Sequence, residues 1–166
     1  MSVFRFEPLG SQHDRASFSC GSAPLDDYLK TRARQDVRRL AAAVFVMVPV
    51  AAPTVVAGYY TLSATSVALE EVPEDFARKL PRYPFAPATL LGRLARDVRF
   101  PRTGKLLLVD ALKRACRQSG EIAAATVIVD AKDDRAREFY ESFGFRPLLA
   151  SANRLFLPMQ TITTLV

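Results

Sequence analysis

The chain has 166 residues, 49% of them hydrophobic and 24% charged. That length fits a single domain spanning residues 1–166, and the composition supplies a core and excludes a disordered polar chain. The formal net charge is +6, which favours anionic partners such as nucleic acid, nucleotides or phosphates. Cys20 and Cys116 show no metal-ligand spacing and no CxxC pair, and His13 is the only histidine, so no metal site is expected. The stretch from Met1 to Glu7 lacks the apolar region of a signal peptide. No apolar run approaches the roughly 18 residues of a membrane span. The expectation is a cytoplasmic protein with no membrane partner.

In chain order, Val3–Glu7 alternates apolar and polar residues and reads as a short strand. Ser22-Ala-Pro24 opens a helix, and Leu25, Tyr28, Leu29, Ala33, Val37 and Leu40 follow helical spacing. Asp26 and Asp27 lie in its first turn and Arg38 and Arg39 in its last, matching the macrodipole. Residues 42–50 and 54–69 read as strands around an Ala-Ala-Pro53 turn, and 73–80 as a short helix. Pro81, Pro84 and Pro87 hold an extended loop, because each disfavours helix in the residue before it. A strand over 89–98 leads to a helix over 103–117, with Leu108, Ala111, Leu112 and Ala115 on one side. Asp110, Lys113, Arg114 and Arg117 form the wet stripe of that helix. Gly120 closes it, and 123–130 is a nearly all-apolar strand, as in a sheet covered on both faces. Asp133 or Asp134 caps a helix running to Phe143, and Gly144 stops it. Residues 145–150 and 154–159 read as adjacent final strands. The sum is an α/β chain with a mixed sheet flanked by helices.

The densest chemical signal is the order strand, Gly turn, helix over Arg93-Leu-Ala-Arg-Asp97 and Arg102-Thr-Gly-Lys-Leu106. A Gly turn that opens a helix presents N–H groups to an anion, and the helix dipole adds to the pull. Asp130-Ala-Lys-Asp-Asp134 and Glu138-Phe-Tyr-Glu-Ser-Phe-Gly-Phe145 then carry the next strand into the next helix. Cys116, beside Ala115 on a helix, reads as a small buried hydrophobe, and His13 as a solvated loop residue. No covalent nucleophile is evident. Basic residues gather on the first helix (Lys30, Arg32, Arg34, Arg38, Arg39), around the Pro loop (Arg78, Lys79, Arg82) and over Arg93–Lys105. A solvated surface accounts for any one cluster; together they fit an anionic macromolecule.

These elements, in this order, resemble the acetyl-CoA core of the GNAT N-acetyltransferases, over nearly the whole chain. The resemblance implies a mixed sheet with strands splayed for acetyl-CoA, which serves as co-substrate. It places the pantetheine arm against the backbone of Leu94, Ala95 and Arg96, and the pyrophosphate near Arg102, Thr103, Gly104 and Lys105. The sequence departs from the family's Gly-rich signature: only Gly104 stands in the loop, which is about two residues short. Arg102 and Lys105 supply charge where N–H donors are missing. The family position of Tyr140 implies a hydrogen-bond donor to the CoA sulfur. A phenol, with an ordinary pKa of about 10, can protonate a leaving thiolate at neutral pH.

A narrower resemblance rests on Phe18-Ser-Cys-Gly-Ser-Ala-Pro-Leu25, Gly58-Tyr-Tyr-Thr-Leu-Ser63, Leu80-Pro-Arg-Tyr-Pro84, Leu91-Gly-Arg-Leu-Ala95 and Arg154-Leu-Phe-Leu-Pro158. Together they look like the GNAT toxins of bacterial type II toxin–antitoxin systems. That family implies acetylation of the α-amine of aminoacyl-tRNA, a block of translation, and a small ribbon-helix-helix antitoxin as partner. Arg78, Arg82 and Arg93 are then the candidates for contact with the tRNA substrate. Two alternatives stay open: a GNAT acetyltransferase of a small amine or peptide N-terminus, and a non-catalytic CoA- or nucleic-acid-binding GNAT-like protein. The amino acid, the tRNA and the oligomeric state, a homodimer included, are left undetermined.

Overall fold

A computed structural model describes residues 3–166. Seven strands are hydrogen-bonded in the order β1-β2-β3-β4-β5-β7-β6. They are β1 (Phe4–Pro8), β2 (Ala43–Pro49), β3 (Gly58–Ala68), β4 (Phe85–Arg96), β5 (Thr126–Asp130), β6 (Arg146–Leu148) and β7 (Ser151–Pro158). The helices are α1 (Ala23–Asp27), α2 (Ala33–Arg38), α3 (Glu74–Ala77), α4 (Gly104–Gln118), α5 (Asp134–Glu141) and α6 (Met159–Leu165). β1, β2 and β3 pair antiparallel, β4 and β5 parallel, and β7 pairs antiparallel with both β5 and β6. The sheet is therefore mixed, as expected. The chain divides into two compact units, residues 1–63 with 92–111, and residues 64–91 with 112–166.

In the first unit, α1, α2 and the residues between them pack on β2 and β3. Phe18, Tyr28, Leu29, Val46, Val48 and Tyr59 form the buried centre of that core. Fully burying each such side chain contributes about 1.5–3 kcal/mol. The first helix is not continuous: Tyr28–Arg32 is a π-helical turn, closed by the Ala33 N–H on the Tyr28 carbonyl. The cause is Arg15, whose Nη1 takes the carbonyls of Leu29 (3.2 Å) and Lys30 (3.1 Å). Carbonyls drawn to a guanidinium leave the i→i−4 ladder, and the backbone widens by one residue. Gly58 lets β3 approach α4 closely. A Cβ there would stand 2.6 Å from Leu107 Cδ1 and 3.0 Å from the Ala95 carbonyl oxygen.

In the second unit, Val67, Val72, Phe76, Ala86, Ala88, Ile128, Leu148 and Phe156 form the core, with Phe76 and Phe156 stacked at 5.4 Å. Leu112 and Ala115 of α4 are buried as its spacing required.

The structure corrects several sequence expectations. Residues 54–57 are not strand; they form a turn with a single bridge from Val55 to Asp14. β4 begins at Phe85, inside the expected Pro loop. Pro87 is tolerated because the ladder with β5 starts one residue later, at Ala88. Thr103 precedes α4 rather than opening it. Residues Met159–Leu165 form a further helix, α6, beyond the last expected strand, although Thr-Ile-Thr-Thr is a weak helix former. Burial of Met159 and Ile162, three residues apart, outweighs that weakness. Asp110 is half-buried rather than fully solvated, and its carboxylate accepts the Tyr60 hydroxyl at 2.6 Å. His13 is buried, not solvated. Its Nδ1 accepts from the Gly10 N–H (2.9 Å) and its Nε2 lies 2.9 Å from Glu7 Oε1. The His13 hydrogen bond is the largest cause holding the Glu7 carboxyl below its ordinary pKa.

Candidate active site

Among the described residues the parallel β4–β5 ladder covers Ala88–Leu91 against Thr126–Val129. β4 runs on to Arg96, so residues 92–96 lie beyond that ladder. Leu94 and Arg96 there are half-buried and Ala95 is buried. The chain then enters a turn built on Asp97, a fully buried carboxylate. Its Oδ1 accepts from the Arg99 N–H and Nε, both at 2.8 Å. Its Oδ2 accepts from Arg99 Nη2 at 3.0 Å and from the Ser19 N–H at 2.9 Å. Burial pushes the Asp97 pKa up, but the hydrogen bonds from Arg99 and Ser19 outweigh it and hold the carboxyl below its ordinary value. Sequence reading gave Asp97 no role. The signal was an Asp two residues before an N–H donor, the pattern of an Asx-turn.

The rest of the turn leads to the helix. Arg102 sits in the left-handed region at φ 63, although it is not glycine. The strain is of order 1–2 kcal/mol for a residue with a Cβ. Thr103 is buried, and its hydroxyl donates to the Phe100 carbonyl at 2.7 Å. The Leu107 N–H bonds the Thr103 carbonyl at 3.2 Å as α4 begins. Among the described residues the N–H groups of Gly104, Lys105 and Leu106 have no backbone partner, which leaves them open to an external acceptor. Arg102 and Lys105 are exposed beside them. This donor set, one strained backbone position and two cations at the start of a long helix, suits a diphosphate. The expected residues Leu94, Ala95, Arg96, Arg102, Thr103, Gly104 and Lys105 all fall within the first unit.

Arg93 is in the same unit, half-buried, with its guanidinium 3.5 Å from the centre of the Tyr28 ring. The Tyr28 hydroxyl in turn donates to Asp36 at 2.7 Å. Arg78 and Arg82 lie in the second unit and are exposed.

Tyr140 lies on α5 in the second unit and is 8% exposed. Its ring meets Phe139 and Phe145 edge-on, at 5.5 and 5.4 Å. The other buried tyrosines spend their hydroxyls inside the protein: Tyr28 on Asp36, Tyr59 on the Leu25 carbonyl at 2.6 Å, and Tyr60 on Asp110. Among the described residues the Tyr140 hydroxyl has no such partner. Burial alone raises its pKa above the ordinary value, so the phenol keeps its proton at neutral pH. No buried polar side-chain atom is left unsatisfied among the described residues, so the unpartnered Tyr140 O–H reaches the surface and is open to a ligand atom. No cluster of three or more metal-ligating side chains occurs among the described residues.

The strand order, the β4 extension and the Gly-started helix are those expected of the GNAT fold. No family model matches the chain. It is 32% identical to a probable toxin TacT of Sinorhizobium fredii, over 96% of this chain and 93% of that protein. It is 33% identical to a tRNA-acetylating toxin of Mycobacterium tuberculosis, over 95% of this chain and 93% of that one. Among solved structures, a tyrosine-to-phenylalanine variant of KacT superposes with a TM-score of 0.92 at 25% identity, covering 99% of this chain and 100% of that one. AtaT complexed with acetyl-methionyl-tRNAfMet gives 0.89 at 28% identity, covering 98% of each. The chain belongs to the family of tRNA-acetylating GNAT toxins.

Proposed function

We propose that this protein uses acetyl-CoA to acetylate the α-amine of aminoacyl groups on charged tRNA, and that it thereby blocks translation as the toxin of a toxin–antitoxin pair. The observation that carries the reading is its 33% identity to a tRNA-acetylating toxin along 95% of its length. AtaT, a second relative, has been solved with acetyl-CoA and with the C-terminus of the antitoxin AtaR.

Acetyl-CoA supplies an activated acetyl thioester. The backbone of Leu94, Ala95 and Arg96 pairs with the pantetheine arm as an added strand would. The N–H groups of Gly104 and Lys105, with the Arg102 and Lys105 charges, hold the diphosphate. Thr103 acts through its backbone, because its hydroxyl is taken by Phe100. Tyr140 donates its phenolic proton toward the departing sulfur. Its unpartnered hydroxyl, on an otherwise buried ring, supports that role. The acceptor needs no strong base: an α-amine has a pKa of about 8, against about 10.4 for lysine, so a useful fraction is neutral at pH 7. Water or a backbone carbonyl takes its proton. Arg78, Arg82 and Arg93 meet the tRNA.

The antitoxin partner is a small ribbon-helix-helix protein; a solved KacTA–DNA complex supports a partner that brings DNA. The chain works in the cytoplasm, where charged tRNA is made, and no helix among the described residues is long and apolar enough to cross a membrane. Residues 1–166 act as one domain, since β3, β4 and α4 each contribute residues to both units. One cooperative thermal transition tests that, and sedimentation distinguishes monomer from homodimer.

The functional test is incubation with acetyl-CoA and total charged tRNA, followed by identification of acetylated aminoacyl groups. Acetylation of free amines or peptide N-termini alone would favour the small-substrate reading. No CoA release with any amine would favour a binding protein.

A further inference from the structure

The turn between α3 and β4, two of whose arginines are proposed above to meet the tRNA, carries a further feature that the proposed function leaves without a role: a pair of exposed aromatic rings. Arg78, Lys79 and Arg82 are exposed there. Among the described residues none of the three has an ion-pair partner. Two aromatic rings stand between and beside them: Tyr83 is 68% exposed and Phe85 61%. A single exposed aromatic is ordinary on a protein surface. Two within three residues, beside three unpaired cations, are not explained by folding, because neither ring fills a core.

The backbone beneath them is held firmly. Pro81, Pro84 and Pro87 restrict it. The Leu69 N–H bonds the Pro84 carbonyl at 3.0 Å, and the Ala125 N–H bonds the Pro87 carbonyl at 2.8 Å. Within β4, Ala86 and Ala88 turn into the core while Phe85 and Pro87 face outward. The rings are thus presented on a stiff segment, so binding costs little conformational entropy.

We infer that Tyr83 and Phe85 form a stacking platform for unpaired nucleotides, with Arg78, Lys79 and Arg82 neutralising the adjoining phosphates. Unpaired bases stack on aromatic rings without regard to sequence, and basic residues follow the backbone. A duplex offers no free base faces, so the platform selects single strands. The inference rests on the reading of this protein as an enzyme of charged tRNA, whose unpaired 3′ end carries the aminoacyl group. The platform engages that end and so favours tRNA over free aminoacyl esters.

The chain contains no tryptophan, so Tyr83→Trp gives a single fluorescent reporter at an exposed position. A short single-stranded RNA ending in CCA should quench it, more weakly as salt rises, and a blunt duplex of equal length should not. Equal quenching by both, or by neither, overturns the inference. The second measurement uses the Tyr83→Ala/Phe85→Ala double variant, with its thermal transition checked against wild type. Its affinity for intact uncharged tRNA should fall roughly 5- to 150-fold. Its affinity for tRNA trimmed of the unpaired 3′ end should match that of wild type. An equal loss on both tRNAs overturns the platform, and so does no loss on either, which leaves the rings to a protein partner. Wild-type protein that binds neither tRNA refutes the proposed function itself.

Discussion

Asp97 Oδ2 accepts a hydrogen bond from the Ser19 N–H at 2.9 Å, joining residues 78 positions apart in the chain. The same carboxylate binds Arg99 through side chain and backbone. One buried acid therefore sets the turn that feeds α4, and the shape of the loop proposed to hold the diphosphate depends on it.

Asp97→Ala should destabilise the protein by about 2–4 kcal/mol, because buried donors lose a charged acceptor. Acetyl-CoA affinity should fall with it as the turn loosens. The folded pKa of Asp97 is depressed. Its stabilising effect is therefore full above the unfolded value of about 4 and disappears as pH falls through the folded value. Urea denaturation of wild type and variant at pH 7 and pH 3 checks both claims: the gap between them should shrink in acid.

Tyr140→Phe should keep fold and acetyl-CoA affinity and lose turnover. The ring volume is preserved, and no internal hydrogen bond is broken. Loss of the acid lowers kcat by roughly 10²–10⁴, or about 2.7–5.5 kcal/mol of transition-state stabilisation. A kcat within about threefold of wild type means that another group protonates the sulfur. The raised pKa adds a second expectation. The wild-type rate should show no loss of its acid as pH rises to about 10, the ordinary phenol value.

Arg102→Gly should act in opposite directions on stability and binding. Glycine relieves the left-handed strain at φ 63. The net gain is about 0.5–1 kcal/mol once glycine's greater chain entropy is subtracted. The lost charge should weaken acetyl-CoA binding. Calorimetry alongside thermal melts reads both, and unchanged affinity would place the diphosphate elsewhere.

Charge reversal at Arg78 and Arg82 should weaken tRNA binding far more than acetyl-CoA binding. The log–log salt slope should flatten by roughly 0.9 or less for each phosphate that is no longer neutralised. Titrations across a range of salt concentrations decide it; equal losses for both ligands would assign these arginines to the fold instead.

Gly58→Ala should cost about 1–3 kcal/mol by overpacking, since the new methyl meets Leu107 and the unyielding Ala95 carbonyl. A melting temperature equal to wild type would show that the backbone there has room to give.

Local patterns were enough for the frame of this protein. The apolar spacing of α4, the Val-Ile-Val centre of β5 and the Gly-opened helix after β4 are short-range properties, and they stand within three residues of where periodicity put them. The position of Tyr140 on the helix after β5 was legible for the same reason. Tertiary structure decided the rest, because it turned on groups far apart in sequence. Arg15 pulls two carbonyls out of a helix 14 and 15 residues away and makes a π-turn that no propensity signals. The Pro-rich stretch becomes the start of β4, since its carbonyls find partners at Leu69 and Ala125. Strained Arg102 is held by the turn that Asp97 anchors. In sequence all the tyrosines look alike. Packing gave three of them internal acceptors and left the Tyr140 hydroxyl, on a buried ring, without one. Composition and periodicity can place a hydroxyl on an element, but whether it has a partner depends on which distant groups the fold brings beside it.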